Sequence, residues 1–168
     1  TLPGSHWVCV FINKKQIVNY TMKTLVTAWV IILITILNGN AQTPDWLWAR
    51  SAGGTGYDEG RSISRDANGN VYVTGNFYSS TITFGSSTLV GVGGDIFIAK
   101  YDSSGNVLWA KSAGGSSSDL VSGISTDVNG NSYITGEFFS YTLILDTIKL
   151  INAGGCGSSD FFIARYDS

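Results

Sequence analysis

Beyond residue 41, apolar and polar side chains alternate in short runs divided by turn residues, and no run shows the three-to-four spacing of an amphipathic helix. Val71, Val73 and Phe77 alternate with Tyr72, Thr74 and Asn76, the period of two that a strand requires. Ile96-Phe97-Ile98-Ala99 is apolar on both faces, so the strand it predicts needs cover on two sides. Val107-Leu108-Trp109-Ala110 follows after Ser103-Ser104-Gly105-Asn106. Asp102-Ser-Ser-Gly-Asn106 has the same form as Asp66-Ala-Asn-Gly-Asn70 and Asp127-Val-Asn-Gly-Asn131, and each lies between two strand-forming runs. An Asp opening a type I turn and a Gly closing it in the left-handed conformation predict a hairpin at each place.

The pattern recurs as a unit. A shift of 61 positions lays residues 48 to 79 on 109 to 140 with 18 identities in 32, beginning with Trp48-Ala-Arg-Ser-Ala-Gly-Gly54 on Trp109-Ala-Lys-Ser-Ala-Gly-Gly115. A shift of 65 lays Asp95 to Ser103 on Asp160 to Ser168 with 7 identities in 9, so one loop between 141 and 156 is longer in the second unit. Such a period marks a repeat array. Each unit predicts strands near 62 to 66, 70 to 77, 95 to 101 and 106 to 112, with one longer excursion between the second and third. Four antiparallel strands in up-and-down order make a propeller blade, and face-to-face stacking covers a strand that is apolar on both sides. The expected fold is therefore all-β: four-stranded antiparallel blades of β-propeller type, about two of them, over about 46 to 112 and 109 to 168. Gly75 and Gly136 fall inside strands, where a bulge or the close approach of a neighbouring backbone is expected. Trp48 and Trp109 are expected to fill the gap between blades, Trp109 being the better covered. The repeat region opens on a fourth strand, Trp46 to Ser51, and stops after a third, Phe161 to Asp167, so a partial propeller is expected. The missing strand then comes from further blades of the chain or from another copy.

The first 41 residues have a different character. Met22 to Ala41 reads MKTLVTAWVIILITILNGNA, with thirteen uncharged and largely apolar residues from Leu25 to Leu37 leading to small and polar ones. This is the form of a signal peptide preceding Gln42, and it is shorter than a membrane span of about 20 apolar residues. Residues 1 to 21 read as an upstream extension without a role of their own. Export implies a secreted or cell-surface protein, touching the membrane only through an uncleaved leader.

Removing the leader changes the chemistry on offer. Residues 42 to 168 hold seven Lys and Arg against twelve Asp and Glu, a formal charge of minus five with no cluster of cations, which excludes nucleic acid as the expected partner. His6 and Cys9 leave with the leader, so no Ser-His triad is available, and Cys156 stands alone in a Gly-Gly-Cys-Gly loop with no disulfide partner. Gly53-Gly-Thr-Gly56 and Gly91-Val-Gly-Gly94 do not open a helix, so neither forms a phosphate cradle. Asp58, Glu59 and Asp119 are the acids that a funnel would present to a carbohydrate, but Asp58 and Asp119 are repeat-equivalent, as turn residues are. No catalytic, cofactor-binding or metal-binding residue is assigned, and no cofactor is expected.

Trp-Ala-Lys/Arg-Ser-Ala-Gly-Gly, Asp-x-Asn-Gly-Asn-x-Tyr-x-Thr-Gly-x-Phe and Asp-x-Phe-Ile-Ala-Lys/Arg-Tyr-Asp together resemble the bacterial seven-bladed beta-propeller (SBBP) repeats over residues 46 to 168. The resemblance implies a secreted or surface-exposed modular protein and carries no catalytic set; this chain departs from it in having about two units. The expected function is a non-catalytic interaction or adhesion scaffold, with a surface protein or a glycan as ligand. The alternative is a carbohydrate-binding or carbohydrate-active propeller whose site lies in other blades. Asp66-Ala-Asn68-Gly-Asn70 and its second copy place oxygens at alternate positions as calcium loops do, yet Val71 and Ser132 occupy the sixth position and Phe77 and Phe138 the twelfth. Calcium is expected to leave the melting temperature unchanged; a rise of several degrees that chelator reverses contradicts the hairpin reading.

Overall fold

The computed structural model describes residues 14–37, 43–155 and 157–167. They form two units divided between Asp45 and Trp46. The first unit contains helix α1, Lys14–Leu37, whose apolar residues are spread around the axis and exposed wherever described, as at Met22 and Trp29. It begins ahead of Met22, so the helix extends back into the segment read as an upstream extension. No helix among the described residues is long and apolar enough to cross a membrane. The expected cleavage point, Ala41 to Gln42, lies outside the described residues.

The second unit is built from strands alone. In chain order they are β1 (Asp58–Arg65), β2 (Val71–Phe77), β3 (Thr81–Phe84), β4 (Ser87–Val90), β5 (Asp95–Tyr101), β6 (Val107–Gly114), β7 (Asp119–Thr126), β8 (Ser132–Phe138), β9 (Thr142–Leu145), β10 (Ile148–Ile151) and β11 (Asp160–Tyr166). Strands β1, β2, β5 and β6 pair antiparallel as a four-stranded blade, and β7, β8 and β11 repeat its first three strands. The hairpins fold as the Asp-x-x-Gly-Asn form predicts. Gly69, Gly105 and Gly130 all hold positive φ, and each amide donates to the carbonyl of the Asp three residues earlier. Bulges at Gly60/Ser62 and Val121/Gly123 kink β1 and β7. Opposite the first bulge, a side chain at Gly75 would collide with the carbonyl of Glu59 and the ring of Phe97.

Three features differ from the sequence expectation. The longer excursion between the second and third strands is itself a hairpin, β3–β4, with β9–β10 as its repeat image. That second hairpin joins the preceding blade, because β9 pairs with the end of β6 through Ala113↔Leu145 and Gly114↔Ile144, extending the first sheet to six strands. The bridge Gly53↔Thr83 is the same joint one repeat earlier. Residues Trp46 to Ser51 belong to no strand, whereas their repeat image in β6 pairs with β5. The longer loop of the second unit falls between β10 and β11.

The blades stack face to face, and the core lies between them. Ile96 and Ile98 of β5 pack with Val121 of β7, Ile134 of β8, Leu145 of β9 and Phe162 of β11. A second cluster, including Phe77, Ile82, Phe84 and Phe97, lies between the first blade and its β3–β4 hairpin. Hydrogen bonds fix the stacking register: Asn76 Nδ2 donates to the Asp119 carbonyl at 2.6 Å, and the Val121 amide donates to Asn76 Oδ1 at 3.3 Å. At the other end of the interface, Tyr72 OH donates to the Gly130 carbonyl at 2.7 Å, and Thr126 Oγ1 donates to the Arg65 carbonyl at 2.9 Å.

Trp109 sits between blades as expected, though half-buried rather than fully buried. Its ring lies 6.1 Å from Tyr72 of the first blade and 6.1 Å from Tyr166 of the second. Trp48 stacks on Tyr101 at 6.4 Å, the repeat image of the Trp109–Tyr166 contact. Trp109→Ala is expected to cost about 3 kcal/mol, the lower end for an aromatic truncation because the ring keeps some exposure, and to cost more than Trp48→Ala. Denaturant melts of both variants check this, and equal losses contradict the interblade role.

Candidate functional site

The acids singled out in the sequence organise backbone at one end of the blades. Asp58 opens β1 beside the point where the chain leaves β2, and its Oδ2 accepts from the Gly54 amide at 2.7 Å and from Ser79 Oγ at 2.9 Å. Asp119 does the same at the start of β7: Oδ1 accepts from the amides of Phe139 and Ser140, both at 3.1 Å, and Oδ2 from Ser140 Oγ at 2.8 Å. The recurrence of Asp and Ser 21 positions apart in both units is the sequence signal for this corner. Glu59 points elsewhere, to Tyr57 OH at 3.0 Å and to the Arg61 guanidinium. The three acids therefore do not converge on one point. Through its hydrogen bond, Glu59 raises the phenol pKa of the exposed Tyr57.

The residue that the sequence reading passed over is Asp95. It opens β5, is buried, and accepts the Val92 amide on Oδ2 at 2.9 Å, while Oδ1 reaches no partner among the described residues. Gly114 leaves the space for that oxygen, because any side chain there would run into the carboxylate. Burial lifts the Asp95 carboxyl above the usual range; the Val92 amide opposes this, and the charge of Asp119 across the blade interface adds to it. Asp95 lines a cleft of about 650 Å³ formed with the end of β6, the start of β9, Tyr141 and Asp146. Its sequence signal is the Asp that begins both Asp-x-Phe-Ile-Ala runs, at 95 and 160. Asp160 likewise takes a loop amide, that of Ala153 at 2.7 Å.

At the opposite end of the blades lie the Asp-x-x-Gly-Asn turns. Asp66 Oδ1 accepts from the amides of Asn68 and Asn70, both at 2.9 Å, and Oδ2 from Asn70 Nδ2 at 2.8 Å and Tyr72 OH at 3.3 Å. Asp102 and Asp127 repeat the pattern with Asn106 and Asn131. For Asp66, burial raises the pKa, but its four hydrogen bonds outweigh that and hold the carboxyl below the usual range. Asp102 and Asp127 are lowered first by the side-chain amides of Asn106 and Asn131. These bonds occupy the oxygens that a calcium loop would turn toward an ion. Among the described residues, no three His, Cys, Asp or Glu side chains gather as metal ligands. Gly91 to Gly94 connects β4 to β5, with Gly93 and Gly94 at positive φ. Cys156 lies outside the described residues.

The two kinds of acid respond to pH in opposite directions. Asp66, Asp102 and Asp127, with lowered folded values, add stability above the unfolded carboxyl pKa of about 3.9, and this is lost as pH falls through their folded values. Asp95, with a raised folded value, favours the fold while protonated, and that contribution is lost as pH rises through its folded value. Asp95→Asn is therefore expected to melt above the parent at about pH 7, with the difference vanishing near about pH 3. Calorimetry across this range checks the assignment, and a variant that melts below the parent at neutral pH contradicts it.

The comparisons with known proteins fall on this framework. The SBBP beta-propeller repeat model matches residues 47–76, from the extended segment before β1 through nearly all of β2, including the Asp58 corner and the Asp66 turn. The chain is also similar to an uncharacterized WD repeat-containing protein of Acanthamoeba polyphaga mimivirus, 26% identical over 145 residues. That match covers 75% of this chain and 10% of the viral protein, so the chain spans about a tenth of that relative's length. Over residues 47–76 the chain is thus similar to the SBBP beta-propeller repeat, and the sequence and strand pairing of that segment recur in its second copy.

Proposed function

We propose that this chain is a non-catalytic repeat scaffold, exported to a bacterial cell surface, where its blades serve as an interaction or adhesion module. The observation that carries the proposal is the use made of the acids. Asp58, Asp66, Asp102, Asp119 and Asp127 each spend their oxygens on backbone amides or on neighbouring Asn and Ser side chains, and so hold blade corners and turns in shape. A framework of this kind presents loops and sheet faces rather than a reacting group. Export is supported by the Met22 to Ala41 pattern, and a partner other than nucleic acid by the negative charge of residues 42 to 168. The carbohydrate-binding reading has one observation in its favour: Tyr141 is exposed at the cleft beside Asp146, where an aromatic face suits a sugar ring.

Expression of the full chain in a bacterial host, with fractionation and terminal sequencing, tests the proposal. The expected product is outside the inner membrane, starts at Gln42 and is digested by protease added to intact cells once it is surface-held. Cytosolic protein retaining residues 1 to 41 contradicts export. Release of reducing sugar from polysaccharide, abolished by substituting Asp146, contradicts the non-catalytic reading.

A further inference from the structure

Among the described residues, Asp95 Oδ1 is the only buried carboxylate oxygen that reaches no hydrogen-bond partner. Asp95 is 7% exposed, and its carboxylate is enclosed between Gly91 and Gly114, where a side chain on either glycine would strike it. Asp95 and both glycines line the cleft of about 650 Å³, so the carboxylate forms part of its wall. The first blade and its loops supply the wall from Val90 to Ser116, and the hairpin of the second unit supplies it from Tyr141 to Asp146.

The cleft is acidic. Its lining holds two carboxylates, Asp95 and Asp146, and no basic side chain. Burial raises the Asp95 pKa most, and the nearby charge of Asp119 raises it further, a strain that a cation beside it would relieve. Lys111 Nζ lies 3.8 Å from Asp146 Oδ2, but both side chains are largely exposed, so this pair is weak and readily exchanged. Tyr141 lines the same cleft and is 60% exposed.

The chemistry selects the ligand. A neutral hydroxyl would give Oδ1 a hydrogen bond and leave the buried charge uncompensated, whereas an ammonium or guanidinium supplies both. The Tyr141 ring beside two acids favours the same choice, because the negative face of an aromatic ring attracts a cation. The formal charge of minus five on residues 42 to 168 draws a basic partner from a distance. Gly91, Gly93 and Gly94 leave the Val92 loop few side chains to repack when a ligand reaches the carboxylate.

We infer that this cleft receives a lysine or arginine side chain of a partner protein, with the cationic head beside Asp95 and Asp146 and the stem along the Tyr141 ring. The inference rests on reading the chain as an interaction module and names the chemistry of the partner; it is independent of export. Lys111 competes with the incoming cation for Asp146.

A nuclear magnetic resonance titration of the isotope-labelled full chain tests this, in salt of about 0.15 M to screen long-range attraction. The probes are acetyl-Gly-Lys-Gly-amide, acetyl-Gly-Arg-Gly-amide and, as the neutral control, acetyl-Gly-Gln-Gly-amide. Saturable shifts of the Val92, Gly114 and Thr142 amides are expected with the two basic peptides, with a Kd of about 1 mM, and none with the neutral one. Asp95→Asn is expected to weaken binding at least about tenfold. Tyr141→Ala is expected to weaken it about threefold, and Lys111→Met to tighten it about twofold. Glu137→Gln removes the same charge away from the cleft and is expected to leave binding unchanged. If Asp95→Asn loses its fold, the exposed Tyr141→Ala and Lys111→Met variants decide. No saturable shift, equal shifts with the neutral peptide, binding unchanged by Asp95→Asn, or tighter binding of maltotetraose at the same amides overturns the inference. Fractionation reads export and the titration reads the cleft, so either can fail without the other.

Discussion

The structure depends on one constraint: a sheet whose strands are apolar on both faces must be covered twice. Strand β5 is buried along its whole length, from Asp95 to Tyr101, because β7 and β8 lie against its Ile96–Ile98 face while Phe77, Ile82 and Phe84 cover the face of Phe97, Ala99 and Tyr101. The same strand type, as β11, alternates exposed residues with buried or half-buried ones, and among the described residues no further blade lies against it. The difference comes from position in the stack, since the two sequences are nearly identical. Burying a large apolar side chain is worth about 1.5 to 3 kcal/mol, so the Ile96 and Ile98 contacts alone outweigh a typical surface interaction several times over. Blade stacking therefore carries stability, and the hydrogen bonds of Asn76 and Tyr72 set its register.

Charge is used for shape. Carboxylates in short loops compete for nearby amides, and here that competition is resolved in the same way at Asp66, Asp102 and Asp127, each with an Asn four residues later. Asp95 is the exception, because burial against Gly114 leaves one of its oxygens unpartnered at the joint between blades. An unsatisfied buried oxygen of this kind stores a modest cost, and the fold tolerates it where β9 fastens the second unit to the end of β6.

Much of this architecture was legible in the sequence because it is written twice. The 61-residue shift aligned the blades, and the Asp-x-x-Gly-Asn form located three turns whose Gly residues do hold positive φ. The β3–β4 and β9–β10 hairpins were not read, because Thr81-Ile-Thr-Phe84 and Ser87-Thr-Leu-Val90 are each only four residues long and too short to show a period. Their signal lay in the connection, where Gly85 and its image Asp146 share a φ of 57°. That β9 would join β6 was beyond local pattern, since pairing across units depends on where stacking brings the strands. Asp58 and Asp119 were read as turn residues and do hold a corner; Asp95 was missed because its character comes from burial, which a sequence displays only through its neighbours in space.

Hydrogen exchange measured strand by strand at several protein concentrations tests the stacking account most directly. Amides of β5 are expected to exchange slowly at every concentration, because their cover comes from the same chain, while those of β11, which alternates exposed with buried or half-buried residues, exchange faster. Equal protection of β5 and β11 at every concentration, or rapid exchange throughout β5, contradicts it.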